Sequence, residues 1–170
     1  MKYTSAEAAK LLRKLNENHQ AVLDKESKCA DFIAAVGEDI EDVRPQYDYH
    51  KTQEELAGIE QKIRTVKHAI NQFNISTVVR DFGMTVDQML VYIPQLSARK
   101  QKLSRMAAQL PKERCSSAGF GAKTIIEYRY ANYDIAAVEA ELAAVTEELA
   151  RAQTALDVVN NSEVMEISID

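Results

Sequence analysis

The chain has 170 residues, 46% of them hydrophobic and 28% charged, which is enough apolar material to build a core and too much for wholesale disorder. Its net charge of −5, with 21 Lys and Arg against 26 Asp and Glu, weighs against a general nucleic-acid binder, which needs cations to displace phosphate counterions. Five glycines and three prolines favour long uninterrupted elements over an all-β fold with many turns.

The first helix is predicted over about 5–36, capped by Thr4 or Ser5, with Glu7 in its first turn and Gly37 as its stop. Its apolar stripe is Ala8, Leu12, Leu15, His19, Val22, Glu26, Cys29, Ile33 and Val36, widened by Leu11, Leu23 and Phe32. An acidic connector follows, in which Arg44-Pro45 favours extended backbone. The second helix is predicted over about 48–73, with Asp48 as its cap and a stripe of Leu56, Ile59, Ile63, Val66, Ile70 and Phe73.

The third helix is predicted over about 85–110, from Thr85 to the residue before Pro111, on Val86, Met89, Ile93, Leu96, Leu103, Met106 and Leu110. Pro94 lies inside it, so a kink or a broken first turn and a half is expected. Between Pro111 and Asp134 the helical period vanishes. Residues 116–121 read as a loop, and 124–130, rich in β-branched and aromatic residues, as a strand. A lone strand needs a partner, with 75–80 the first choice and 43–49 the second. The last helix is predicted over about 134–159 on Ile135, Val138, Leu142, Val145, Leu149, Ala152, Leu156 and Val159, and the tail alternates as a short strand does.

Repeats averaging 3.5 residues put one narrow stripe on each helix, and such a stripe must be buried against another helix. The expected fold is therefore mainly α in one domain over 1–170. Four long helices form an antiparallel bundle or coiled-coil hairpins, with a short antiparallel β element near one end.

Charge is unevenly spread. From Gly37 to Glu60 there are eight acids against two bases, and from Ser97 to Arg114 six bases against one acid. Solvated faces and attraction between neighbouring elements or subunits account for such runs. The sharper reading makes Arg99, Lys100, Lys102, Arg105, Lys112 and Arg114 a basic patch for RNA, with Tyr128, Tyr130 and Tyr133 as stacking groups.

No reactive constellation emerges. A helical di-iron site needs Glu three residues before His, and the residues three before His19, His50 and His68 are Asn16, Tyr47 and Thr65. His19 lies in the apolar stripe and reads as a register-setting polar residue; His50 and Glu54 could form only half a metal site. Gly119-Phe120-Gly121-Ala122-Lys123-Thr124 fails as a phosphate loop, because its glycines are two apart, Ala122 precedes the lysine and a strand follows. No catalytic, cofactor or metal site is expected. Charged residues near Met1 replace the apolar run of a signal peptide, and the apolar run Met89–Ile93 is far short of the roughly 20 residues of a membrane span. The chain reads as cytoplasmic, with Cys29 and Cys115 as reduced thiols.

The linear order has a family likeness. Ile70-Asn71-Gln72-Phe73-Asn74 ends one helix, Gly83-Met84-Thr85 opens another carrying Leu90, Leu96, Arg99 and Leu103, and Tyr133-Asp134-Ile135-Ala136-Ala137-Val138 opens the last, which ends at Asn160. Over about residues 56–161 this resembles the septicolysin-like family of small bacterial proteins. The resemblance implies a helical bundle with a small β element and no established biochemical role, and the toxin-flavoured family name suggests a membrane-acting alternative. The leading expectation is a non-enzymatic oligomeric scaffold or interaction module whose partner is itself or another protein. Leu11, Leu23 and Phe32 are its candidate interface.

Overall fold

Two threonines start the helical hairpins of this protein, each at the end of a short strand. A computed structural model describes residues 1–115 and 126–169. Thr4 closes β1 (Lys2–Thr4) and caps α1 (Ser5–Cys29): its hydroxyl accepts from the Glu7 N–H at 3.2 Å, and the Glu7 carboxylate accepts from the Thr4 N–H at 2.8 Å. Thr85 closes β3 (Met84–Thr85) and caps α4 (Val86–Ala107) in the same reciprocal way with Gln88. Each box satisfies two of the backbone donors that a helix leaves unpaired at its start. The remaining elements are α2 (Ile40–Val43), α3 (Tyr49–Ser76), β2 (Val78–Val79), β4 (Lys112–Arg114), β5 (Tyr128–Tyr130), α5 (Ile135–Ser162) and β6 (Val164–Glu166). The described residues are mainly helical with short antiparallel strand pairs, as the apolar periodicity predicts.

The chain divides into two compact units. The first, Met1–Thr77 with Val158–Asp170, holds α1 and α3 packed antiparallel, with His19 opposite Glu60 and Glu26 opposite Gln53. Of the predicted α3 stripe, Leu56, Val66 and Phe73 are buried and Ile59, Ile63 and Ile70 half-buried. The tail does form a strand, β6, which pairs antiparallel with β1 through Lys2↔Glu166, Tyr3↔Met165 and Thr4↔Val164. The Ile167 N–H extends the ladder to the Met1 carbonyl at 2.9 Å. Met165 and Ile167 are buried while Val164, Glu166 and Ser168 face out, the two-residue alternation of a half-buried strand.

The predicted first helix is too long: it ends at Cys29, not Val36. The pairing of α1 with α3 explains the stop. The antiparallel register brings Cys29 level with the first turn of α3, which begins only after Pro45 and the Asp48 cap. Beyond that level no α3 turn faces α1, and an apolar stripe without a facing helix supplies little to sustain further turns. The connector instead folds on itself. Ala35 N–H donates to the Glu38 carboxylate, Gly37 takes φ 97°, and the Arg44 guanidinium lies 5.7 Å from the centre of the Phe32 ring.

The second unit, Val78–Asp157, holds α4 and most of α5. Tyr92 meets Glu148 and Arg99 meets Glu141, so residue numbers rise on one helix as they fall on the other and the pair is antiparallel. Val86, Met89, Leu96 and Leu103 on α4 and Val138, Val145, Leu149, Ala152 and Leu156 on α5 are buried, all at predicted stripe positions. The broken turn expected at Pro94 is not seen, and α4 runs continuously through it. Pro94 sits on the exposed face, where water can satisfy the carbonyl it deprives of a donor, while Met89 and Leu96 anchor the helix on either side.

Strand pairing differs most from expectation. Residues 75 and 76 belong to the end of α3 rather than to a strand, and β2 pairs with β3 across a tight turn in which Gly83 takes φ 62°. A closing loop this short makes the local partner the cheaper one to bring together. Residues 43–49 form no strand either. Tyr128–Tyr130 pairs instead with Lys112–Arg114, in register Lys112↔Tyr130, Glu113↔Arg129 and Arg114↔Tyr128. The predicted 116–121 loop, its glycine pattern and residues 124 and 125 of the predicted strand lie outside the described residues.

Candidate functional site

Two surfaces gather the chemically distinctive side chains, one in each unit. In the first unit, a groove of about 580 Å³ opens where α1 ends against the start of α3. Glu26 and Tyr47 line it, and Glu26 Oε1 accepts from the Tyr47 hydroxyl at 2.6 Å and from Gln53 Nε2, outside the groove lining, at 2.8 Å. The Tyr47 pKa is pushed up to about 12, chiefly because its hydroxyl donates to the Glu26 carboxylate, with burial and the carboxylate charge adding to it. The cluster tethers the returning connector to α1. One signal for it was in the chain, a glutamate at an apolar stripe position; Tyr47 and Gln53 carried none.

Lys25, Lys51 and Cys29 also line this groove. Cys29 is half-buried at the seam, as expected, and both Cys29 and Cys115 are free thiols. His19 bridges the seam, with Nε2 3.3 Å from Glu60, which suits a register-setting role better than ligation. His50 stacks edge-on against Tyr49. Among the described residues no group of three or more His, Cys, Asp or Glu is placed to hold a metal ion.

Apolar side chains are poorly covered in this unit. Leu11 and Leu23 are half-buried, on opposite edges of the α1 stripe, and Ala8 is the one α1 residue among those described that is fully buried. Past the helix end Phe32, Ile33, Val36, Ile40 and Val43 are all exposed, Ile33 at 95% and Val36 at 109% of the reference value. A shallow groove of about 630 Å³ runs along α1 beside Leu12, Asn16 and Gln20, with Ile70 of α3 on its far wall.

In the second unit the predicted basic residues sort into different environments. Arg99 is ion-paired with Glu141 across the α4–α5 seam (Nε–Oε1 3.1 Å), so its charge is already answered. Lys100 is half-buried, and Lys102, Arg105, Lys112 and Arg114 are exposed. Among the described residues none of these five has a carboxylate within ion-pair distance. The tyrosines divide too. The Tyr133 hydroxyl lies 2.9 Å from the Met106 carbonyl and 3.0 Å from Gln109 Oε1, closing the end of α4 against the start of α5. Tyr128 and Tyr130 are exposed, and Lys112 Nζ sits 4.1 Å above the Tyr128 ring centre and 5.4 Å from that of Tyr130. On the far part of α4, Tyr92 donates to Glu148, which raises the Tyr92 pKa. Phe82 packs between Tyr92 and the Arg151 guanidinium.

No protein-family model and no curated protein matches the chain. A solved structure does: the crystal structure of a functionally unknown conserved protein from Corynebacterium diphtheriae, with a TM-score of 0.62 over 98% of this chain and 100% of that one, at 17% identity. At that identity the likeness carries the fold alone. No helix among the described residues is long and apolar enough to cross a membrane.

Proposed function

We propose that this protein is a non-enzymatic interaction module of the cytoplasm that associates with a second copy of itself through α1. The reading is carried by one observation. The α1 stripe is about as wide as those of the other long helices, yet among the described residues it buries one side chain fully where α4 buries four and α5 five. Leu11 and Leu23 flank the seam with α3, and Phe32 continues the apolar surface past the helix end. A second α1 packed along either flank of that seam would remove part of this surface from water, at roughly 25 cal/mol for each Å² covered. We also propose membership of the septicolysin-like family, on the motif order of residues 56–161 alone.

Light scattering on the purified 19.1 kDa chain tests the association. A mass of at least two chains in the micromolar range is expected, falling to one chain for Leu11→Lys with Leu23→Lys while circular dichroism keeps its helical signal. A strictly monomeric wild type would overturn the reading.

A second reading is favoured by a separate observation: among the described residues Lys100, Lys102 and Arg105 of α4 and Lys112 and Arg114 of β4 have no carboxylate at ion-pair distance. Such a cluster supports a contact with a polyanion, with nucleic acid as the candidate despite the acidic whole chain.

A further inference from the structure

Resting on that second reading, we infer that one face of the β4–β5 hairpin is a stacking platform for unpaired bases of single-stranded nucleic acid, with Lys112 and Arg114 taking the flanking phosphates. The register of the hairpin is the reason. In an antiparallel pair, directly opposed residues and those two apart on a strand share a face. Lys112↔Tyr130 and Arg114↔Tyr128 therefore lie on one side, and Glu113↔Arg129 on the other. The ladder continues through Cys115 N–H to the Glu127 carbonyl, which assigns Glu127 to the side of Glu113 and Ile126 to that of the tyrosines. A segment with mixed charges is thus sorted into a face carrying two tyrosines, two cations and Ile126 with no carboxylate.

That face is open. Tyr128 is 45% and Tyr130 61% exposed, and neither hydroxyl has a hydrogen-bond partner among the described residues. Their ring centres are 6.5 Å apart and tilted by 51°, side by side along the strand. The Lys112 ammonium over Tyr128 occupies the position a base would take, since a π face attracts either. A phosphate arriving with its base draws the ammonium off the ring into a charge-assisted hydrogen bond and frees the ring for stacking. Lys112 and Arg114, two residues apart on a strand, are about 6.6 Å apart along it, close to one nucleotide step of an extended single strand. A duplex keeps its bases stacked inside and can offer this face only phosphates.

Fluorescence anisotropy with a short labelled oligouridine, an abasic oligomer of the same length and an RNA duplex, at about 50 and about 200 mM salt, tests the inference. Oligouridine is expected to bind at least tenfold more tightly than the abasic strand. Tyr128→Ala with Tyr130→Ala should reduce it to the abasic level, while Tyr128→Phe with Tyr130→Phe keeps most of the affinity. Lys112→Gln should lower the slope of log affinity against log salt by about 0.7, the value for one single-strand phosphate contact. Equal binding of all three probes, or indifference to the tyrosine-to-alanine change, overturns the stacking platform but leaves a polyanion contact standing. No salt-sensitive binding of any probe overturns both. Because these side chains are exposed, circular dichroism and thermal midpoints should be unchanged, so a binding loss is not a folding loss.

Discussion

Replacing Ile167 with alanine tests the terminal β pairing and the burial that makes it more than a surface ribbon. Ile167, just past β6, is 1% exposed and lines a groove with Phe73 and Ser76 at the end of α3, whereas Val164, an odd number of residues away, is 52% exposed. Removing a buried isoleucine to alanine costs about 2–5 kcal/mol, from lost transfer energy and the cavity left behind. At about 3 kcal/mol, a chain of this size would lose roughly 6–12 °C in Tm. Val164→Ala should stay within about 0.5 kcal/mol of wild type, as surface changes do. Urea denaturation followed by circular dichroism reads both variants, and the midpoint should move while its slope holds. If Val164→Ala proved the costly change and Ile167→Ala the silent one, the register would be slipped by one residue and every face assigned to β1 and β6 reversed.

Two further outcomes follow from the helices and the polar cluster. Tyr47 titrates at about 12 in the folded protein against 10.0 when free, so the folded chain holds this proton more tightly. The stability this contributes is whole below pH 10, declines between pH 10 and about 12, and is gone above. Glu26→Ala should flatten that alkaline decline in denaturation midpoints and advance one tyrosine in the tyrosinate absorbance titration; an unchanged profile would mean the hydrogen bond does not persist in solution. Pro94→Ala restores one helical donor on the exposed face of α4 and should stabilise the second unit by up to about 3 kcal/mol, seen as a raised thermal midpoint. A lowered midpoint would show that the ring packs in a way its exposure does not suggest.

Much of the fold was legible because burial in a helix repeats at a period the chain writes openly. Leu56, Val66, Met89, Leu103, Val145 and Leu156 are each core residues found by spacing alone, and Thr85 and Asp48 cap the helices their positions foretold. The alternation of Val164, Met165 and Ile167 likewise marked the terminal strand. Lys112-Glu113-Arg114 gave no such mark. Three charged residues have little strand preference of their own, and they are extended because Tyr128–Tyr130 supplies the ladder.

The sequence by itself determined which residues seek cover, and hence that long amphipathic helices pair through narrow apolar stripes. Tertiary structure decided where that cover ends. Ala30–Val36 continues the apolar pattern of α1, but α3 starts too late to face it, so the helix stops and Phe32, Ile33 and Val36 are left in solvent. Structure also decided the pairing of the strands, and with it the sorting of Lys112, Arg114, Tyr128 and Tyr130 onto one face. Periodicity is a property of one segment, whereas register and cover belong to two, and only the folded chain sets which two meet.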